Sequence, residues 1–247
     1  MIDEKIISVY RKLDPECVII ALLNDRPVGC VVAPAWDSSI GGIAFLGVHK
    51  EHRNKGIAAQ LGATAVAHLR SRNTSSICIT SLPVNIPEYR KQGFEKAGPG
   101  IQFWSYFGTQ PSFNHNQQTE EMLEELPSAL ELATIDTLYT GIDRPRLWQC
   151  FIDQRARFLR IYCDSKLVAW TIFHSFDQKC TLAPLYAETP EQARALVQKA
   201  IKDLGERELV IEADATPNSE QLFAELGLRK SPITAVVSLS SVVLLHY

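Results

Sequence analysis

The chain has 247 residues, of which 46% are hydrophobic and 21% are charged, and its formal net charge is −3. This is the composition of an ordinary globular protein, and the length allows one large domain or two domains of roughly 120 residues each. It excludes a membrane-spanning protein, because no apolar run reaches the roughly 18 residues of a membrane helix, and a nucleic-acid-binding protein, because residues 1–105 carry a balance of only +3 and residues 106–247 a balance of −6.

The first half of the chain predicts a helix, three strands and then alternating helices and strands. Apolar residues at helical spacing indicate the helices, and β-rich runs between turn signals indicate the strands. In chain order, these elements are the helix 3–13, the strands 17–23, 28–34 and 40–48, the helix 56–70, the strand 76–80, the helix 88–92 and the strand 101–107.

The second half repeats this order. Its predicted elements are the strand 130–133, the helix 144–154, the strands 157–163, 167–176 and 179–186, the helix 190–204, the strand 208–212, the helix 219–226 and the strand 234–243. Because the order occurs twice, we predict a tandem repeat of one α/β (α+β) fold, with mixed, mostly antiparallel sheets flanked by helices. The polar stretch 108–119 predicts a linker between domains at 1–107 and 120–247.

The six cysteines are scattered singly among apolar residues, with no Cys-x-x-Cys pair and no Cys/His pair at zinc spacing. We therefore expect buried free thiols, no disulfide framework and no metal site. The N-terminus lacks the basic stretch and long apolar core of a secretion signal, so we expect a cytoplasmic protein. We favour a monomer.

The segment 45–58 runs from a strand through a basic turn into a helix, and it carries the clearest functional signal. Gly56 and Ala58 open the helix where backbone N–H groups lack intrahelical acceptors, so these donors and the helix dipole can hold phosphate oxygens. Arg53 and Lys55 add full positive charges beside them. The alternative is a solvated basic turn with a glycine at a helix start.

This segment resembles the GNAT superfamily of acetyl-CoA-dependent N-acetyltransferases, whose motif [Arg/Gln]-x-x-Gly-x-[Gly/Ala] matches Arg53-x-x-Gly56-x-Ala58. A second match follows at Tyr89-x-x-x-Gly93-Phe94, and the resemblance covers about residues 15–107. It implies acetyl-CoA as the cofactor, with Tyr89 as the proton donor to the leaving thiol; ring packing is the alternative role for Tyr89. It places the pantetheine arm and the pyrophosphate along Leu46, Gly47, Val48, Arg53, Asn54, Lys55, Gly56, Ile57, Ala58 and Ala59.

Three features depart from the family pattern. The segment 39–45 has no carboxylate to serve as a general base, so the base is unassigned. The family's asparagine would fall at Leu82, and we interpret Asn85 as a cap of the short helix. Only about 16 residues precede the first strand, enough for one helix where the family has a strand and two helices, so one wall of the acceptor cleft is missing or supplied elsewhere.

The second half resembles the degenerate GNAT domain of YitH-like tandem proteins. Its counterpart of the cofactor turn, residues 186–191, has no glycine and carries Glu188 and Glu191 where phosphates would lie. Phe223 stands at the tyrosine position and has no proton to give. We therefore expect one cofactor site per chain, in the first half.

These features predict acetyl-CoA-dependent N-acetyl transfer to a primary amine of a small-molecule acceptor, by direct attack of the amine on the thioester. Two alternatives stay open. A catalytically inactive acyl-CoA sensor would explain the missing base, and a protein N-acetyltransferase would share the same fold and cofactor motif.

Overall fold

The computed structural model describes residues 4–37, 39–96, 101–106, 126–176, 178–214 and 216–239, and the predicted linker 108–119 lies outside them. The described part contains the helices α1 (Glu4–Leu13), α2 (Ile57–Ser71), α3 (Ile86–Lys91), α4 (Ala129–Thr140), α5 (Pro145–Asp153), α6 (Pro190–Asp203) and α7 (Pro217–Glu225). It contains the strands β1 (Val18–Leu23), β2 (Arg26–Val32), β3 (Ile40–Val48), β4 (Ser76–Ser81), β5 (Glu95–Lys96), β6 (Ile101–Tyr106), β7 (Phe158–Cys163), β8 (Lys166–Phe176), β9 (Lys179–Ala187), β10 (Glu208–Asp214) and β11 (Arg229–Leu239). Among the helices described, none is long and apolar enough to cross a membrane.

The predicted fold class is confirmed. Among the described strand pairs, β3–β4 and β9–β10 are parallel and the others are antiparallel. The hairpins β1–β2 and β7–β8 turn at the left-handed pairs Asn24-Asp25 and Asp164-Ser165, with φ between 49° and 65°. Asn and Asp tolerate this conformation, which is why such polar pairs between β-rich runs indicate hairpins in a sequence.

Two sequence predictions are wrong. Residues 130–133 belong to α4 and not to a strand, because the helix starts at a capping box in which the Ser128 side chain accepts from the Glu131 N–H and the Glu131 carboxylate accepts from the Ser128 N–H. Four residues, of which three are apolar, are too few to distinguish a strand from a helix by periodicity. Cys163 is exposed rather than buried, because it ends β7 at the hairpin turn.

The chain forms two compact units. Unit 1 comprises Met1–Gly98, Ile142–Gln154 and Ala235–His246, and unit 2 comprises Pro99–Gly141, Arg155–Thr234 and Tyr247. In unit 1 the strand order is β1-β2-β3-β4, followed by residues 235–239 of β11. In unit 2 residues 229–234 of β11 are followed by β6-β10-β9-β8-β7. Each unit therefore takes elements from both halves of the sequence.

Helix α5 gives unit 1 a second helix beside α1. Lys12 of α1 forms an ion pair with Asp153 of α5 at 2.5 Å. The Arg144 guanidinium carbon lies 5.2 Å from the centre of the Trp36 ring and 5.3 Å from that of Trp148. The helix that packs beside α1 therefore comes from the other half of the chain.

We expect residues 1–107 expressed alone to aggregate and not to bind acetyl-CoA. This fragment lacks α5 and the end of β11, so one side of α1 and the outer edge of β4 lose the elements that pack on them. Size-exclusion chromatography and calorimetry check this, and co-expression of residues 108–247 is the control that should restore soluble protein. A monomeric fragment with the acetyl-CoA affinity of the full chain would contradict the expectation.

Candidate active site

The turn between β3 and α2 has a backbone conformation that requires its glycine. A short 3₁₀ turn, Lys50–His52, follows β3, and the backbone N–H of His52 donates to the carbonyl of His49 at 2.8 Å. Asn54 and Gly56 then adopt left-handed conformations, with φ of 61° and 78°. A Cβ built on Gly56 would meet no heavy atom within 4 Å, so the glycine is needed for its backbone angle and not for space.

The first turn of α2 presents backbone N–H groups that no described side chain caps. It contains no acidic residue, and Arg53 and Lys55 lie exposed just before it. The Nε atom of Arg53 donates to the carbonyl of Val48 at 3.1 Å, which ties the guanidinium to the end of β3. Uncapped N–H donors, the positive end of the helix dipole and two cationic side chains suit a phosphate or a pyrophosphate.

In the corresponding turn of unit 2, between β9 and α6, most of these donors are already used or absent. The Gln192 N–H donates to the Thr189 side chain at 3.3 Å, and the Gln192 side chain accepts from the N–H groups of Glu188 at 2.9 Å and Thr189 at 3.1 Å. Pro190, the first residue of α6, has no N–H to offer. Glu188 and Glu191 add negative charge, so this turn is unsuited to an anion.

Strand β3 parts from β4 halfway along its length. The parallel pairing runs from Ile40 opposite Ser76 to Ile43 opposite Ile79 and ends there. A bulge follows at Phe45, which has a φ of 53° and lies where two residues of β3 face one of β2. Within the described residues, the backbone of β3 beyond this point has no strand partner on the β4 side, so it can pair with an extended amide-containing arm.

The separation of the two strands leaves a cavity of about 240 Å³, which we call the β3–β4 cleft. It is lined by residues 43–46 of β3, by residues 79–82 at the end of β4, and by Asn85 and Tyr89. This described lining contains no carboxylate and no imidazole. The cleft therefore offers no side chain that could take a proton from an amine.

Tyr89, on α3, is half-buried in the β3–β4 cleft. Its ring packs edge-on against Phe94, with centroids 5.8 Å apart, and the phenol hydrogen-bonds with Ser81. Burial raises the pKa of the Tyr89 phenol above its ordinary value of 10.0, and the Ser81 hydrogen bond lowers this pKa by less. The phenol is therefore protonated at neutral pH and can donate a proton in the cleft.

Ser81 and Asn85 are site residues that sequence reasoning missed. Asn85 stands at the N-cap position of α3, as predicted, but its side chain makes no capping hydrogen bond. Its Nδ2 atom instead donates to Ser81 Oγ at 3.3 Å. Ser81 ends β4, Asn85 ends the 3₁₀ turn Pro83–Asn85 and Tyr89 lies on α3, so no single periodicity in the sequence indicated that they meet.

The predicted cofactor residues lie along the end of β3, the turn and the start of α2. Seven of them are exposed, namely Gly47, Arg53, Asn54, Lys55, Gly56, Ala58 and Ala59. The side chains of Leu46, Val48 and Ile57 pack against the hydrophobic core of unit 1, so these three offer mainly backbone atoms to a ligand.

A second cavity of unit 1, of about 720 Å³, lies between α1 and the strands β1 and β2, and we call it the α1 cavity. Its lining is apolar on the strands and largely polar on the helix, and it includes Val18, Ile20, Val32, Glu4, Ser8 and Arg11. Cys30 also lines it, and the Cys30 Sγ atom donates to the carbonyl of Phe45 at 3.7 Å. Phe45 lines the β3–β4 cleft and not the α1 cavity, so this hydrogen bond joins one residue from each lining.

The counterparts of the site in unit 2 are parts of its core. Phe223 is buried, and its ring centroid lies 5.5 Å from that of Trp104. Tyr139 of α4 stacks on Tyr186 at 5.2 Å, and its hydroxyl donates to the carbonyl of Ala187 at 2.5 Å. A side chain of unit 2 therefore already occupies the end of β9, the position that corresponds to the end of β3.

Two family models match the chain: the acetyltransferase (GNAT) family over residues 2–94 and the acetyltransferase (GNAT) domain over residues 132–241. The chain therefore belongs to the GNAT acetyltransferase superfamily, whose general activity is acetyl-CoA-dependent acyl transfer. It carries two GNAT domains in tandem, which confirms the predicted repeat. No curated protein matches the sequence.

Solved structures share this fold over nearly the whole chain. A candidate acetyltransferase of Pyrococcus horikoshii is 19% identical with a TM-score of 0.77, covering 96% of this chain and 78% of that one. A GCN5-related N-acetyltransferase of Sphaerobacter thermophilus is 13% identical with a TM-score of 0.67, covering 95% and 84%. A tandem GNAT protein from the clavulanic acid biosynthesis pathway is 14% identical with a TM-score of 0.64, covering 93% and 85%. At these identities the likeness concerns the fold.

Proposed function

We propose that unit 1 transfers an acetyl group from acetyl-CoA to the primary amine of a small molecule. The observation that carries this proposal is the uncapped, positively flanked start of α2, which follows the strand whose end lines the β3–β4 cleft. Arg53, Lys55 and the N–H groups of residues 56–59 would hold the pyrophosphate. The backbone of residues 46–48 would hold the pantetheine arm.

We assign two tasks to the side chains of the cleft: to donate a proton to the leaving group and to orient the proton donor. When bound, acetyl-CoA supplies the thioester that the amine attacks. As the C–N bond forms and the C–S bond breaks, Tyr89 Oη would donate its proton to the leaving sulfur; the amine nitrogen would lose its proton to solvent, from which the phenolate would be protonated again. The Ser81 hydroxyl, which accepts from Asn85, orients the phenol. We assign to a backbone N–H near Val48 the stabilisation of the negative charge that develops on the acetyl oxygen.

The α1 cavity is the part of unit 1 to which we assign the acceptor. Its volume of about 720 Å³ lies within the range of roughly 300–1,000 Å³ that is usual for small-molecule sites. The apolar strand side suits an apolar body, and Glu4 offers a carboxylate to a cationic amine. Cys30 of this lining donates to the carbonyl of Phe45 in the lining of the β3–β4 cleft, and β2 pairs directly with β3, so an acceptor held there lies one strand away from the strand to which we assign the acetyl-bearing arm.

We expect kcat/KM to rise with pH along the titration of the acceptor amine itself. The described lining of the cleft offers no carboxylate or imidazole as a base, and only the neutral amine is nucleophilic, so an amine with a pKa about one unit lower should shift the midpoint by about one unit. The rate should fall only above pH 10, because the Tyr89 pKa is raised and the phenol must stay protonated to act as an acid. Profiles for two amines of different pKa check this, and a midpoint shared by both would indicate an enzymic base instead.

The proposed function is tested by acetyl-CoA turnover over a panel of small amines, amino acids and short peptides, followed as the release of free thiol. Acetylation of small amines supports the proposal. Tight acetyl-CoA binding without turnover on any member of the panel would favour an acyl-CoA sensor. Turnover restricted to the peptides would favour a protein N-acetyltransferase and overturn the assignment of a small-molecule acceptor.

A further inference from the structure

We propose that His49, Glu51 and His52 form a binding site for a divalent transition-metal ion in the turn between β3 and α2. Each of the three residues offers one ligand atom, and these atoms all lie within 4.8 Å of one another. Two imidazoles and one carboxylate are a donor set that Zn²⁺ accepts in sites with three protein ligands, and they leave a fourth position open.

The turn holds these side chains on a fixed stretch of backbone. The N–H of His49 donates to the carbonyl of Val28 at 2.8 Å, and the N–H of His52 donates to the carbonyl of His49 at 2.8 Å. The Nδ1 atom of His49 lies 4.0 Å from Oε2 of Glu51. The Nδ1 atom of His52 is buried and has no hydrogen-bond partner in the described part of the chain, so no protein group competes for it.

Only small side-chain rotations separate this arrangement from a coordinated ion. Zn–N distances near 2.0 Å and tetrahedral geometry place the ligand atoms about 3.4 Å apart. The side chains of His49 and Glu51 are 56% and 71% exposed, so they can close the remaining distance without displacing core residues. The sequence pattern is His-x-Glu-His, which contains no cysteine.

The site lies directly before the turn to which we assign the pyrophosphate, since His52 precedes Arg53. A bound dication would therefore stand within about one Debye length, roughly 8 Å, of the phosphate-binding groups. This consequence rests on the proposed function: the ion and acetyl-CoA should each bind more tightly in the presence of the other, by the same factor.

The metal site is tested on untagged full-length protein without acetyl-CoA. Co²⁺ is titrated by visible absorption and Zn²⁺ by calorimetry, and we expect one ion per chain. His49→Ala and His52→Ala should each weaken binding more than about tenfold. The control Cys163→Ser removes the exposed thiol of the described residues and should leave binding unchanged. Absence of binding, or binding that both histidine variants retain, would overturn the site.

The coupling is tested by titrating acetyl-CoA, which has no free thiol to bind zinc, with and without saturating Zn²⁺. We expect the acetyl-CoA affinity of the wild type to rise by about fivefold or more with zinc, and that of His52→Ala to stay constant. Equal affinity at full zinc occupancy would overturn the coupling. If acetyl-CoA fails to bind under both conditions, the proposed function is wrong, and the metal titration still decides the metal site.

Discussion

Gly56→Glu should abolish acetyl-CoA binding to the full-length protein. The new carboxylate would enter the open space over the first turn of α2, where uncapped N–H groups and the charges of Arg53 and Lys55 favour a phosphate. It would occupy that space and repel the phosphates as well. Calorimetry should give a stoichiometry of one for the wild type and no measurable heat for the variant.

Gly205→Glu is the matched control for this experiment. Gly205 has a φ of 67° and no heavy atom within 4 Å of its Cβ position, so the substitution imposes a backbone strain similar to that at Gly56 and adds the same charge. It lies in unit 2, after α6, and this variant should bind acetyl-CoA as the wild type does. Loss of binding in both variants would show that strain is responsible. A wild-type stoichiometry of two would show that unit 2 binds the cofactor despite its capped helix.

Tyr89→Phe should lower kcat by about 10- to 10⁴-fold with little change in acetyl-CoA affinity. The substitution keeps the ring that packs against Phe94 and removes only the hydroxyl, so the variant should unfold at the temperature of the wild type. Steady-state kinetics give kcat, and calorimetry gives the affinity.

The pH profile supplies the control for this variant. If Tyr89 is the acid, the fall in rate above pH 10 should be absent from Tyr89→Phe, because the group whose pKa is raised by burial has been removed. An unchanged kcat, with the same pH profile in both proteins, would leave Tyr89 as a packing residue.

Sequence reasoning succeeds where the signal is local. The strand β3, the turn and the start of α2 agree with the prediction within one residue, because a β-rich run, a left-handed glycine and helical spacing follow one another without interruption. The unsuitable turn of unit 2 was also predictable from Glu188 and Glu191. The capping box of α6, formed by Thr189 and Gln192, is also a local sequence signal, and it occupies backbone N–H groups that a phosphate would need.

Sequence reasoning fails where residues distant in the chain meet. Nothing within residues 1–98 indicates that α5 packs beside α1, or that residues 235–239 pair with β4. The hydrogen bond from Asn85 to Ser81 was missed because a polar residue before a short helix more often caps that helix with its side chain. The cluster of His49, Glu51 and His52 was missed because its ligands come from one turn and include no cysteine.

Unit 1 is built from segments that lie far apart in the chain, so it cannot complete its sheet until most of the chain has been synthesised. Its first 98 residues must wait for Ala235 and the residues after it, about 140 positions later, before the outer edge of β4 is paired. At synthesis rates of roughly 5–20 residues per second, this wait lasts about 7–28 s. The site to which we assign acetyl-CoA lies in the unit whose sheet receives residues 235–239 long after its other strands have been synthesised. A nascent chain that stalls within this interval exposes an unpaired strand edge to chaperones and to other nascent chains.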